Sequence, residues 1–137
     1  MSPERYARIN QMLDYRQTDL TLCLDTVHKT QNIAAVIRTA DAVGIHQIHA
    51  VWPDADMRVS GNTASGSQQW VKTIQYNSMS EAAKVFNSQG MQVLATNFSA
   101  KAIDFRDIDY TKPTVVIMGN ERDGVSDAGL AIASQHI

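Results

Sequence analysis

Residues 114–125 of the chain read Thr-Val-Val-Ile-Met-Gly-Asn-Glu-Arg-Asp-Gly-Val. The first five residues are mostly apolar and β-branched, so they predict a buried β-strand. This strand runs directly into Gly119, Glu121 and Gly124, a pattern that predicts a close backbone approach to a ligand at the first glycine and a tight turn at the last. The same spacing also fits an ordinary strand-to-helix turn with a capping acid. A Walker-type phosphate loop is excluded, because no Gly-Lys-Ser/Thr sequence follows.

The hydrophobic pattern outside this stretch alternates between helical and extended periods. Asn32 and Ser80 are predicted helix N-caps, and Gly44 a helix stop. Because strands that alternate with helices pair in parallel through crossovers, the sequence predicts an α/β fold, a mostly parallel sheet with helices on both faces. Small polar residues at 60–67 predict a connector or a lid. Further helices are expected at residues 3–15, 32–43 and 80–87, a last amphipathic segment at 127–135, and further strands at 20–24, 48–52, 70–76 and 91–95.

Bulk properties narrow the class of protein. A chain of 137 residues with 44% hydrophobic and 19% charged residues has room for one folded core. No apolar run reaches the roughly 18 residues of a membrane span, and no signal-peptide pattern opens the chain, so we expect a cytoplasmic protein that does not contact a membrane. The single cysteine, Cys23, is predicted to be a core residue. The net charge of −2 does not point to nucleic acid.

A second group of polar residues lies on the predicted helix 32–43. Arg38 follows the core positions Val36 and Ile37, so its guanidinium must reach outward or find an anionic partner. An ion pair with Asp41, three residues on, is one interpretation. A functional arginine, with Asn32 one and a half turns before it, is the other.

Taken together, the segment Asn-x-x-x-x-x-Arg-Thr-Ala at 32–40 and the stretch at 115–125 resemble two of the three motifs of the knotted SPOUT 2′-O-ribose methyltransferases, and most closely the TrmH type that methylates the D-loop guanosine at position 18 of tRNA. The likeness extends over essentially the whole chain, including Arg5-Tyr-Ala-Arg8, Ala40-Asp-Ala-Val-Gly44, His49-Ala-Val-Trp-Pro53, Gly90-Met-Gln-Val-Leu-Ala-Thr96 and Asp104-Phe-Arg106.

This resemblance implies an α/β-knot fold, a homodimer, a tRNA substrate, S-adenosylmethionine as cofactor and no metal. It also implies functional residues in three groups. The implied catalytic residues are Arg38, Asn32 and Glu121, and the implied cofactor-binding residues are Thr96, Gly119 and Gly124. The positive bias of the first helix adds Arg5, Arg8 and Arg16 as predicted RNA-binding residues, although a solvated helix face would show the same bias.

Two questions stay open from the sequence. Arg38 can act as a general base or can clamp a phosphate in two hydrogen bonds, and the second role suits a guanidinium, which holds its proton tightly. The family's third motif, Ser-Leu-Asn-x-Ser, has no match before Ile137, so the knot-forming C-terminal segment is expected to be missing. We therefore expect a helical extension at residues 1–17 and an incomplete methyltransferase domain at 18–137, with a non-catalytic RNA-binding or dimerisation module of the same family as the alternative function.

Overall fold

The computed structural model describes residues 1–52 and 64–137, so residues 60–63 of the predicted connector or lid lie outside the described residues. The described residues form one six-stranded sheet in the order β3-β2-β1-β5-β4-β6. Neighbouring strands in this order pair in parallel, as the sequence predicted. The strands are β1 (Leu20–Asp25), β2 (Gln47–Val51), β3 (Lys72–Tyr76), β4 (Gln92–Ala95), β5 (Thr114–Met118) and β6 (Gln135–His136).

The central strands β1 and β5 are apolar on both faces because helices cover the sheet on both sides. Successive residues of β1 enter opposite cores: Cys23 packs in one and Leu24 in the other. Helix α2 (Thr30–Ala42) covers the face of Leu24, and helices α3 (Met79–Ser88) and α4 (Asp127–Ile132) cover the face of Cys23. The predicted two-faced architecture is therefore confirmed.

Helix α1 (Pro3–Asp14) forms where the sequence predicted it. Ser2 caps it, with its hydroxyl oxygen accepting from the Arg5 N–H at 3.3 Å, and Pro3 occupies the first turn, where a missing N–H is harmless. None of its residues is buried. Its position therefore depends on the few contacts made near its C-terminal end.

Four boundary predictions are wrong. Helix α2 begins at Thr30 with Lys29 as N-cap, so Asn32 is inside the first turn and does not cap. Helix α3 is capped by Ser78, whose hydroxyl accepts from the Glu81 N–H at 3.3 Å, and Ser80 is again inside the first turn.

The third wrong boundary is at the end of the predicted amphipathic segment. Helix α4 stops at Ile132, and the chain turns into β6 because the N–H and the hydroxyl of Ser134 both donate to the Val93 carbonyl at 2.8 Å. The predicted strand at residues 70–76 begins only at Lys72, after a turn of 3₁₀ helix at Ser67–Gln69.

Candidate functional site

The turn after β5 is a compact loop closed by its own hydrogen bonds. The Asn120 N–H donates to the Gly124 carbonyl at 3.2 Å, and the Gly124 N–H donates back to the Asn120 carbonyl at 3.0 Å. Inside the loop, Asn120 Oδ1 accepts from the N–H groups of Arg122 at 3.0 Å and Asp123 at 2.8 Å. Gly124 has φ +71°, the left-handed conformation that the sequence predicted for a tight turn.

Position 119 requires a glycine because the backbone of the same loop passes close to it. A Cβ atom at this position would overlap the backbone of Gly124 and Val125. On the side that a Cβ would occupy, the close approach is therefore made by the protein's own chain, and Gly119 shapes the loop. The predicted cofactor contact at Gly119 stays a prediction.

The end of β1 lies beside this loop and contributes two residues that the sequence did not indicate. Asp25 is buried, and its Oδ2 accepts from the N–H of Ser126, the N-cap of α4, at 2.8 Å. Thr26 has φ +54°, which is uncommon for a β-branched residue and is often associated with functional sites.

Two hydrogen bonds hold Thr26 in this conformation. Its N–H donates to the Val51 carbonyl at 3.1 Å, and its hydroxyl donates to the Asp25 carbonyl at 2.8 Å. The hydroxyl oxygen also accepts from Asn120 Nδ2 at 3.4 Å, which joins the two loops. No local pattern predicts a left-handed threonine, so the sequence carried no signal for it.

A cleft of about 410 Å³ opens between these two loops, and we call it the motif cleft. The second predicted motif contributes residues 120–123 to it, and the first motif begins at Asn32, three residues after Lys29 in the chain. Glu121 is exposed in this cleft, whose lining also includes Lys29 and Arg122. The lining residues are His28, Lys29, Asn120, Glu121, Arg122 and Asp123.

Asn32 and Arg38 occupy different sides of α2. Six residues at about 100° each place their side chains about 120° apart and about 9 Å apart along the helix axis. Asn32 is half-buried in the first turn, whereas Arg38 is exposed further along the helix. The carboxylate of Asp41, the alternative partner predicted for Arg38, is bound by Arg16.

Thr96 follows β4 at the same edge of the sheet. It is exposed, and both its N–H and its hydroxyl donate to the Ile117 carbonyl, at 3.0 and 3.1 Å. A hydroxyl that donates one hydrogen bond can still accept from a ligand. Gly124 is open as well, with no atom near the position of a Cβ. These two predicted cofactor residues are therefore accessible.

Of the three predicted RNA-binding arginines, Arg16 is separated from the others by the structure. Its side chain is only 8% exposed, and Nη2 donates to Asp41 Oδ1 at 2.7 Å while Nη1 donates to the Ile45 carbonyl at 3.2 Å. A guanidinium held in this way fastens the end of α1 to the end of α2, and its predicted contact with RNA stays a prediction. Arg5 and Arg8 are exposed.

Neither a metal cluster nor a membrane-spanning helix occurs within the described ranges 1–52 and 64–137. No three His, Cys, Asp or Glu side chains in them come close enough together to hold a metal ion. No helix in those ranges has both the length and the apolar character to cross a membrane.

Sequence comparisons give one family and several named relatives. The profile of the SpoU rRNA Methylase family matches residues 19–137. The tRNA (guanosine(18)-2′-O)-methyltransferase of Escherichia coli is 50% identical over 137 residues, which are 100% of this chain and 60% of the relative. The enzyme of the same name from Thermus thermophilus is 43% identical over 94% of this chain and 66% of its own length. The chain thus spans about 60% of the length of the first of these curated relatives.

Solved structures agree with the fold. The crystal structure of the A. aeolicus TrmH/SpoU tRNA modifying enzyme superposes with a TM-score of 0.87 at 33% identity, covering 98% of this chain and 68% of that one. An AdoMet-bound rRNA methyltransferase from Sinorhizobium meliloti gives a TM-score of 0.74 at 30% identity, covering 91% of this chain and 49% of that one. The predicted α/β fold type is confirmed by these matches.

Proposed function

The chain belongs to the SpoU rRNA methylase family, and from that premise we propose that the protein transfers a methyl group from S-adenosylmethionine to a ribose 2′-hydroxyl of tRNA. One observation carries the proposal: the loop after β5, which holds the second motif, and the loop that leads from β1 to the first motif line one cleft where these neighbouring strands end. Ligands of parallel α/β sheets bind beyond such strand ends. We propose guanosine 18 as the target because relatives 50% and 43% identical are named for it.

The accessible residues at this edge fit the proposed cofactor. The Thr96 hydroxyl can accept from a ribose hydroxyl or an adenine amino group, and Gly124 presents open backbone. When bound, S-adenosylmethionine supplies an electrophilic methyl group on a sulfonium. The residues that would hold it in this chain are Thr96 and the loop from Gly119 to Gly124, with Gly119 acting through the shape of that loop.

For Arg38 we propose the role of phosphate clamp rather than general base. Its side chain is exposed, and a guanidinium offers five N–H donors in a planar fork and no acceptor. The planar fork suits a phosphate oxygen pair, and a phosphate fixed in this way would orient the neighbouring ribose hydroxyl. Alignment of reacting groups is itself a large part of such catalysis.

Asn32 and Glu121 would work from the motif cleft. The side-chain amide of the half-buried Asn32 has an N–H group that can donate to the ribose 2′-oxygen and a carbonyl oxygen that can accept from the 2′-hydroxyl. Glu121 is exposed in the same cleft as Lys29 and Arg122, and its carboxylate would orient these cations around the substrate. Both are proposed as functional residues for this reason.

The proposal is tested by methyl transfer from labelled S-adenosylmethionine to a tRNA transcript. Incorporation should occur with guanosine at position 18 and disappear when that nucleotide alone carries 2′-deoxyribose. Arg38→Ala should lose most of the rate, and Arg38→Lys should keep tRNA binding while losing rate, since lysine retains charge without the fork. Equal incorporation into the deoxy transcript would refute ribose methylation, and tRNA binding without any transfer would favour the non-catalytic module.

Other expectations from the resemblance are carried here as proposals. We propose a homodimer without a metal, in the cytoplasm, with residues 1–17 as a helical extension and 18–137 as the methyltransferase domain. The family profile begins at residue 19, which supports this boundary. Light scattering of the purified protein tests the dimer, and metal analysis by mass spectrometry tests the absence of a bound ion.

A further inference from the structure

A second concave surface lies beside the Arg16–Asp41 ion pair, at the end of α2 opposite to Asn32. It is a groove of about 290 Å³ between α1 and the 3₁₀ turn that precedes β3, and we call it the α1 groove. Arg5, Arg8, Ile9 and Met12 line one wall, and Trp70 lines the other. Spacings of three and four residues put these α1 side chains on one face of the helix.

The lining of the α1 groove includes an exposed indole next to apolar side chains of α1. Trp70 is 47% exposed, whereas the other tryptophan, Trp52, is 4% exposed and donates from Nε1 to the Val27 carbonyl at 3.1 Å. Trp70 thus presents a large flat apolar surface beside the half-buried Ile9 and Met12. Such a surface suits a planar ring as its ligand.

The rim of the groove is positive. The carboxylate of Asp41, at the edge of the groove, is paired with Arg16, with 2.7 Å between Arg16 Nη2 and Asp41 Oδ1. Arg5 and Arg8 are exposed, and neither forms an ion pair within the part of the chain that the structure describes. Two uncompensated cations therefore stand one helical turn apart beside the indole, a charge arrangement complementary to the phosphates of a nucleotide strand.

We propose that the α1 groove binds a single-stranded segment of RNA, with one base stacked on Trp70 and the flanking phosphates on Arg5 and Arg8. This inference rests on the proposed function, which makes RNA the substrate. Proteins that bind single-stranded nucleic acid combine an aromatic side chain with flanking arginines. The aromatic ring stacks on the flat face of a base, and the arginines contact the phosphates between nucleotides. Arg16 contributes by fixing α1 at the distance from Trp70 that forms the groove.

Tryptophan fluorescence measures this binding directly, because only Trp70 of the two indoles is accessible to a base. The probes are a single-stranded RNA of about 12 nucleotides, enough to span one such groove, and a duplex of the same length, both without S-adenosylmethionine. We expect the single strand to quench emission to saturation, and Trp70→Phe to lose the quenching while Trp52 still reports a folded chain.

The variants separate stacking from charge. By anisotropy of a labelled single strand, Trp70→Leu should bind about tenfold more weakly, from the usual contribution of one stacked base. Arg5→Ala and Arg8→Ala should each weaken binding and reduce its salt dependence by about one counterion. Arg106→Ala is the matched control, because Arg106 is an exposed arginine outside the groove and should bind like the wild type.

Each negative result has a distinct meaning. Wild-type RNA affinity in Trp70→Leu, with methyl transfer to tRNA intact, would overturn the groove and leave the proposed function standing. Quenching by RNA without any methyl transfer would support the groove and overturn the proposed function. Trp70 emission that changes with protein concentration in the absence of RNA would assign the groove to a second copy of the chain and overturn the proposal.

Discussion

Replacement of Gly119 by alanine should destabilise the fold far more than the same replacement at Gly124. The added Cβ would overlap the Gly124 and Val125 backbone, far inside the ~3.5–4.0 Å of a normal carbon–carbon contact. To relieve the overlap, the loop must open, which breaks the two backbone hydrogen bonds between Asn120 and Gly124, at 3.0 and 3.2 Å. Two such bonds contribute about 2 kcal/mol, and the residual strain adds about 1–3 kcal/mol. We therefore expect Gly119→Ala to lower the free energy of unfolding by about 3–5 kcal/mol.

Gly124→Ala is the matched control, because it lies in the same loop. Nothing occupies the space of its Cβ, so only the left-handed backbone at φ +71° resists the change, at about 1–2 kcal/mol. Gly90, with φ +64° and equally open space, gives a second control outside the site. Equilibrium unfolding in urea, followed by circular dichroism, gives the three midpoints at a common slope. A Gly119→Ala midpoint no lower than that of Gly124→Ala would refute the packing argument and restore a ligand as the reason for Gly119.

Three further predictions concern buried polar groups. Asp41→Asn should lower the free energy of unfolding by about 1.5–3 kcal/mol, because Arg16 is largely buried against it. The control is Asp123→Asn, in an exposed ion pair, which should change the free energy of unfolding by less than about 0.5 kcal/mol in the same urea titration. Burial lowers the pKa of His49 from 6.5 to about 4, so the unfolded chain binds a proton there more readily than the folded chain. The free energy of unfolding should therefore fall as the pH is lowered from 6.5 to about 4, by no more than about 3 kcal/mol. His49→Gln should remove that pH dependence of the urea midpoint. Burial, with Asp25 nearby, raises the pKa of Cys23 to about 12, so a thiol reagent at neutral pH should react only at the rate of unfolding, and rapid labelling of the folded chain would contradict this.

The parts of the fold that the sequence predicted well are those with a strong local pattern. Strands β1 and β5 are short apolar runs, and their burial on both faces follows from that composition. The start of α2 was misplaced because it depends on where the chain leaves the sheet: Val27 is buried and its carbonyl is held by Trp52 Nε1. Strand β6 has only two residues, and its partners are β4 and Ala102, so no local pattern could predict it.

In the site, too, features with a local pattern were predictable and features that depend on distant contacts were not. The glycine–acid–glycine loop was recognisable from its residue types, and its tight turn at Gly124 is confirmed. Spacing could not tell whether Gly119 approaches a ligand or the chain itself, because that depends on the path of the backbone after the turn. For Asp41, the sequence offered Arg38 three residues away, while the structure uses Arg16, which is 25 residues away. Charge pairs between distant elements leave no periodic trace in a sequence.

Mass spectrometry of nuclease-digested tRNA, after incubation with the protein and S-adenosylmethionine, identifies the modified nucleotide. We predict a single new 2′-O-methylguanosine at position 18 of the D-loop, and its loss when Arg38 is replaced by alanine. A methyl group on a base would contradict ribose methylation, and 2′-O-methylguanosine formed equally well by Arg38→Ala would contradict the role proposed for Arg38.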